Sequence, residues 1–255
     1  AFTAEDTALT DLVMGDDLRA SLYSFDLVQR RAKKPVGVPD KELARPVTKV
    51  GIVGAGLMAS QLAMLFARRL QVPVVMTDLD QERVDAGVGR VHADIDALAA
   101  KGRLSADKAS RLKGLVSGSS DVAAFAGAEF ILEAVFEDLS VKKEVFAAIE
   151  DVVSETCILA TNTSSLSVTA MAADLRYPER VVGFHFFNPV AVMPLLEIAR
   201  AEKSDDASVA TAFAVGKELK KSCVMVADAP AFVVYRLLIR YLSDITRAVD
   251  DGSEF

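Results

Sequence analysis

The stretch Lys49 to Ala59, KVGIVGAGLMA, constrains this chain more than any other. Val50, Ile52 and Val53 make a short β-branched run, and Gly54-Ala55-Gly56-Leu57-Met58-Ala59 fits the G-x-G-x-x-G/A loop that joins a strand to a helix and cradles a phosphate. Gly54 permits the tight turn, Gly56 lets the backbone approach a pyrophosphate, and Ala59 lets the helix lie close to the strand. A helix begun at Leu57 and Met58 offers its unpaired N–H groups and dipole to that anion. The surroundings support this reading. Met58, Leu62, Leu65, Phe66 and Leu70 recur at helical spacing. A second strand, Pro73 to Asp78, ends on an acid 24 residues beyond Gly54, close to the roughly 20 expected of a ribose-binding carboxylate. Asp78 would accept hydrogen bonds from both ribose hydroxyls and repel a 2′-phosphate, so NAD is predicted over NADP.

A chain of 255 residues, 51% of them apolar and 25% charged, has ample material for a core. No apolar run reaches the roughly 20 residues of a membrane span, and the N-terminus lacks a basic-then-apolar signal; the expectation is a cytoplasmic protein with no membrane span. Cys157 and Cys223 stand apart without metal or CxxC spacing and read as reduced core thiols, and no metal site is expected. The net charge of −7 argues against nucleic acid as a partner.

Residues 1–46 read as a helical connector: Leu9 to Arg31 is helical in pattern, runs into the basic cluster Arg30 to Lys34, and is followed by a turn-rich Val-Gly-Val-Pro segment. From residue 47 to 228, strands and helices alternate. Helices are expected over Gln81–Ala100, from an N-cap at Ser105 to about Gly114, over Ser140–Ser154 and over Ser167–Asp174. Strands fall at Leu115–Ser117, Glu129–Val135 and Cys157–Thr161. This alternation marks an α/β, Rossmann-type, doubly wound and mostly parallel sheet. Val181–Phe187 and Leu195–Ala199, separated by a short connection, read as a late hairpin-like addition, and a helix Asp205–Lys220 and a strand Ser222–Val226 follow. Residues 229–255 read as the first helix of a truncated all-helical domain, starting at Ala231 after Pro230. Its apolar residues Phe232, Leu237, Leu238, Leu242, Ile245 and Val249 predict that this fragment associates. Gly-Ser-Glu-Phe at the end has the look of a cloning scar.

Of the two histidines, His92 lies in a polar helix and reads as a surface residue. His185 sits in the aromatic strand Gly183-Phe-His-Phe-Phe-Asn-Pro189, where each ring nitrogen needs a partner. Glu197 is a lone carboxylate in Pro194-Leu-Leu-Glu-Ile-Ala199, so the two could face each other across neighbouring strands. A buried carboxylate fixes an imidazole tautomer and leaves the other nitrogen free to take a proton. Thr161-Asn-Thr-Ser-Ser165 falls at the carboxyl end of a strand, where ligands of such sheets bind, although caps for the next helix are an equally simple use of it.

Together GAGLMA, Glu133-Ala-Val-Phe-Glu137 with Lys142, NTSSL, HFFNPV and PLLEI resemble the L-3-hydroxyacyl-CoA dehydrogenases. The resemblance is closest to the dehydrogenase region of bacterial multifunctional β-oxidation α subunits, and runs from about Val47 to Val249. It implies that residues 1–46 are the tail of a hydratase-like region with its connector. It implies roles in oxidising a 3-hydroxyacyl-CoA with NAD: Ser164 binds the 3-oxygen, His185 is the general base and Glu197 orients it. Ala134, Glu137, Lys142, Asn162 and Asn188 match positions around the nicotinamide, its ribose or the acyl group, Asn188 on the substrate side. It also implies a homo-oligomer, or a complex with a thiolase subunit.

Two departures stand out. Ala231 replaces a family glycine, which reads as mild. Tyr235 replaces an asparagine that assists at the substrate oxygen, and a phenol is larger and donates only one hydrogen bond. Tyr235 and the lost helical domain keep open a non-catalytic NAD-binding or docking module, and another Rossmann dehydrogenase acting on a short β-hydroxy acid is a second enzyme reading.

Overall fold

The computed structural model of the chain describes residues 2–33 and 35–252. The side chains of residues 31–34, most of the basic cluster, and residues 253–255 of the terminal Gly-Ser-Glu-Phe lie outside the described residues. The chain divides into two compact units, Ala1–Gly37 and Val38–Phe255. In the first, α1 (Phe2–Met14) and α2 (Asp16–Lys33) replace the single helix expected from Leu9. The break is Gly15, a poor helix former, and Asp16 and Asp17 favour the N-terminal turn of a new helix.

Residues 38–46 precede the first strand of the second unit and pack on that unit through Arg45. The Arg45 N–H donates to Thr211 Oγ1 at 2.9 Å and its guanidinium to the Thr156 carbonyl at 3.0 Å. The sheet has eight strands: β1 (Val50–Val53), β2 (Val74–Thr77), β3 (Val116–Gly118), β4 (Phe130–Glu133), β5 (Ile158–Thr161), β6 (Val181–Phe186), β7 (Leu195–Arg200) and β8 (Ser222–Ala227). Their order is β3-β2-β1-β4-β5-β6-β7-β8. The first six pair in parallel; β7 is antiparallel to β6, as the predicted late hairpin required, and β8 runs parallel to β7. The helices are α3 (Leu57–Leu70), α4 (Gln81–Ala100), α5 (Ala106–Leu115), α6 (Leu139–Glu150), α7 (Val168–Ala172), α8 (Asp206–Glu218) and α9 (Val234–Asp250).

The central strands are near-continuous apolar runs because both sheet faces are buried. Ile52, Leu132, Ala160 and Phe184 pack with Leu62 and Phe213 on one face, while Ile131, Leu159 and Val181 meet Phe146 and Met171 on the other. Strand order reverses between β1 and β4, which opens a crevice outside their carboxyl ends. Helices α4 to α8 start under side-chain caps from Asp80, Ser105, Asp138, Ser167 and Asp205.

The C-terminal helix begins three residues later than expected. Ala231 and Phe232 adopt φ of 62° and 43°, in the left-handed region, so they form a turn rather than helix. Alanine at 231 is therefore not a mild replacement for glycine, which reaches this region without Cβ strain. Ala231→Gly is expected to raise stability by about 1 kcal/mol, measured as a higher urea midpoint at constant slope; an unchanged or lower midpoint would contradict the strain. Beyond the turn no residue of α9 is buried, and Leu237, Ile239, Tyr241 and Leu242 are exposed.

Candidate functional site

The glycine loop starts where β1 ends. Gly54, at φ 108°, donates its N–H to the Thr77 carbonyl at 2.7 Å. A Cβ there would sit 2.8 Å from the Ala134 carbonyl oxygen, so only glycine lets the loop lie against the end of β4. At Gly56 a Cβ would meet nothing within 4 Å, so the space above the first turn of α3 is open. The amides of that turn carry no side-chain cap, unlike those of the five helices that follow. An uncapped N-terminus beneath open space fits a dinucleotide phosphate. At the end of β2, Asp78 Oδ2 accepts the Ala55 N–H and Oδ1 accepts the Leu79 N–H, both at 2.7 Å. The carboxylate thus shapes the loop. Arg90, which the sequence reading passed over, donates to the Ala55 carbonyl and approaches Ser60 Oγ at 3.4 Å.

At the carboxyl ends of β4 and β5 lies a buried charged network. Glu133 and Lys142 are 0% and 1% exposed, with Lys142 Nζ 2.7 Å from Glu133 Oε1 and 3.4 Å from Glu137 Oε2. Glu133 also accepts from the Val135 N–H at 2.7 Å and from the Thr161 hydroxyl at 2.6 Å. Glu137 Oε1 collects the Thr163 hydroxyl at 2.5 Å, the Ser164 N–H at 2.9 Å and the Ser165 N–H at 3.2 Å. Burial alone would raise the Glu137 carboxyl, but the Thr163, Ser164 and Lys142 donors outweigh it and hold the group below the usual carboxylate range. The Ser164 hydroxyl lies 3.4 Å from the same oxygen and donates to it, which leaves its lone pairs free to accept.

His185 and Glu197 are directly opposed in the antiparallel register of β6 and β7. His185 Nδ1 lies 2.8 Å from Glu197 Oε2, with both side chains buried. Glu197 Oε1 accepts the N–H groups of Val233 and Val234 at 3.0 Å each. Burial acts to raise the Glu197 carboxyl, but His185 and those two amides prevail and keep it below the usual range. The group is therefore an ionised acceptor for Nδ1–H, and Nε2 is the ring nitrogen without a hydrogen-bond partner among the described residues. Phe187, Phe232 and Tyr235 surround the imidazole, with ring centroids 4.6, 5.7 and 5.6 Å away. Tyr235 is thus a wall of the His185 site.

Asn162 and Asn188 flank the same strand end. Asn162 Oδ1 accepts the Phe186 N–H at 2.9 Å, and Asn188 Oδ1 faces Gln61 Nε2 at 3.3 Å. His92 is half-buried rather than a surface residue, because its Nε2 reaches the Lys113 carbonyl at 3.3 Å as α4 and α5 pack. Both cysteines are free and buried, and among the described residues no group of three or more potential ligands could hold a metal ion.

Comparison with known proteins agrees with this geometry. The family described as 3-hydroxyacyl-CoA dehydrogenase, NAD binding domain, matches residues 49–229. The chain is 34% identical over 246 residues to the peroxisomal fatty acid beta-oxidation multifunctional protein MFP2 of Arabidopsis thaliana, covering 96% of this chain and 34% of that protein. It is 36% identical over 235 residues to the fatty acid oxidation complex subunit alpha of Pseudomonas syringae pv. tomato, covering 92% of this chain and 32% of that one. This chain therefore spans about a third of the length of these relatives. Among solved structures, the (S)-3-hydroxybutyryl-CoA dehydrogenase PaaH1 of Ralstonia eutropha shares the fold with a TM-score of 0.77 and 33% identity, over 81% of this chain and 73% of that one. On the strength of a match that covers most of its length and runs through the glycine loop, β4, β5 and the His185 strand, the chain belongs to the 3-hydroxyacyl-CoA dehydrogenase NAD-binding domain family.

Proposed function

We propose that the chain carries the NAD-dependent oxidation of (S)-3-hydroxyacyl-CoA to 3-oxoacyl-CoA in fatty-acid β-oxidation. The observation that carries the reading is the buried Glu197–His185 pair, which engages Nδ1 and leaves Nε2 without a partner among the described residues, on the same sheet as an uncapped glycine-loop helix. NAD, when bound, supplies the hydride acceptor. Gly54, Gly56, Leu57 and Met58 hold its phosphates, Asp78 its ribose, and Ala134, Glu137, Lys142 and Asn162 line the nicotinamide end. His185 Nε2 takes the proton from the substrate 3-hydroxyl, Glu197 holds the imidazole and stabilises the imidazolium, and Ser164 binds the 3-oxygen. Asn188 and Tyr235 complete the substrate side.

Supporting the wider reading, the relatives are multifunctional proteins and complex subunits. Residues 1–46 are accordingly assigned to the end of a preceding hydratase-like region and its connector, and residues 229–255 to the start of an all-helical domain. A thiolase subunit and a second copy of the protein are the proposed partners. The cytoplasmic location expected from the sequence belongs to the same proposal; among the described residues no helix is long and apolar enough to cross a membrane.

The test is the loss of NADH absorbance on mixing with acetoacetyl-CoA. The expected result is turnover of the thioester with NADH, and rates at least about tenfold lower with free acetoacetate or with NADPH. NADH binding with no turnover would favour the non-catalytic module that Tyr235 brings to mind, and equal rates on the free acid would favour a short β-hydroxy acid.

A further inference from the structure

The turn after β6 is held by a residue that nothing in the family assignment singles out. Gln61 projects from α3 to the segment Asn188–Val190, where its Oε1 accepts the Val190 N–H at 2.9 Å and its Nε2 donates to Asn188 Oδ1 at 3.3 Å. On the other side, Lys221 Nζ donates to the carbonyls of Val190 at 2.5 Å and Met193 at 2.7 Å. The backbone of the turn is thereby pinned from two directions, and the amide of Asn188 is the group left to choose an orientation.

That choice is made by Gln61. A backbone N–H only donates, so the end of the Gln61 amide that meets Val190 must be its oxygen. The other end, Nε2, is then a donor and demands an acceptor, which turns Asn188 Oδ1 toward α3 and Nδ2 away from it. Asn162 is oriented in the same sense, since its Oδ1 accepts the Phe186 N–H. Neither Nδ2 has a hydrogen-bond partner among the described residues. Two asparagines at the carboxyl end of β5 and just beyond β6 therefore present amino donors, a polarity that suits carbonyl, carboxamide or hydroxyl oxygens.

We propose that Gln61 is a positioning residue that fixes the polarity of Asn188, making it a donor to the acyl-CoA. The inference rests on the reading of Asn188 as a substrate-binding residue. Gln61→Glu keeps an acceptor for the Val190 N–H but offers Asn188 a carboxylate, so the asparagine must turn Nδ2 toward α3 and present Oδ1 instead. Asn188→Asp reaches the same outward polarity from the other partner. Gln61→Met removes both hydrogen bonds without imposing either orientation.

The experiment has two arms. In the first, the Asn188 side-chain amide pair is followed in ¹⁵N–¹H spectra, assigned by its disappearance in Asn188→Asp; it is expected to move in Gln61→Glu, and an unmoved pair overturns the proposal. In the second, KM for acetoacetyl-CoA is expected to rise about tenfold in Gln61→Glu and in Asn188→Asp and about threefold in Gln61→Met, with NADH affinity within about twofold of wild type throughout. A Gln61→Met effect as large as that of Gln61→Glu, with NADH affinity falling alongside, reduces Gln61 to a packing role and also overturns it. If the wild type neither binds nor turns over acetoacetyl-CoA, the functional reading fails instead, and the spectra still decide whether Gln61 orients Asn188.

Discussion

His185→Ala is expected to slow NADH oxidation by acetoacetyl-CoA by about 10³-fold while leaving NADH affinity unchanged. The imidazole touches neither the glycine loop nor Asp78, so cofactor binding is insulated from it. Glu197→Gln is expected to be nearly as damaging, for a reason visible in the hydrogen bonds. The carboxylate accepts on both sides, from His185 on one oxygen and from Val233 and Val234 on the other. An amide has only one oxygen to offer. If it serves the two backbone N–H groups, its NH₂ meets Nδ1 and forces the proton onto Nε2, so the base is lost without any change of shape. Stopped-flow absorbance with parallel NADH titration checks both variants. More than a tenth of wild-type turnover in His185→Ala would sink the assignment of the base.

Lys142→Met should act on the fold before it acts on chemistry. Lys142 bridges Glu133 and Glu137 in near-complete burial. Removing the ammonium strands the Glu133 carboxylate in the interior with only the Val135 amide and the Thr161 hydroxyl. Breaking a buried pair from one side costs about 3–5 kcal/mol, which for a domain of this size lowers the thermal midpoint by about 10 °C. Removing both charges in Lys142→Met/Glu133→Met is expected to restore much of that loss. Calorimetry of the single and double variants without ligand makes the measurement. A single variant that melts with wild type would leave Lys142 as a cofactor contact alone.

The parts of the site that follow from strict periodicity were legible in the sequence. The loop, its helix and the acid ending β2 obey one spacing rule. His185 and Glu197 pair in the sequence because a lone charge in an apolar strand needs a partner. The same need in Phe130-Ile-Leu-Glu133 points to Glu133, whose role as the hub of Lys142, Thr161 and Val135 was otherwise missed. Gln61 gave no such sign. It lies at the edge of an apolar stripe, where a polar residue is what a half-exposed helix ordinarily shows, and its partners are more than a hundred residues away in the chain. The left-handed pair Ala231-Phe232 was hidden because the usual marker of that conformation, a glycine or asparagine, is absent. There the tertiary structure, through buried Phe232 and the two amides on Glu197, overrides what the local sequence prefers.

That shared carboxylate also couples two parts of the chain that mutation would otherwise treat as independent. Because Glu197 spends one oxygen on the base and the other on the entry to α9, the Pro230–Val233 turn and His185 are coupled through one side chain. Substitutions that displace the Val233 and Val234 amides then act on the active centre, and their effects do not add to those of changes at His185 or Glu197. A double-mutant cycle between the turn and the dyad is expected to show this coupling, whereas changes on the exposed face of α9 are expected to add independently.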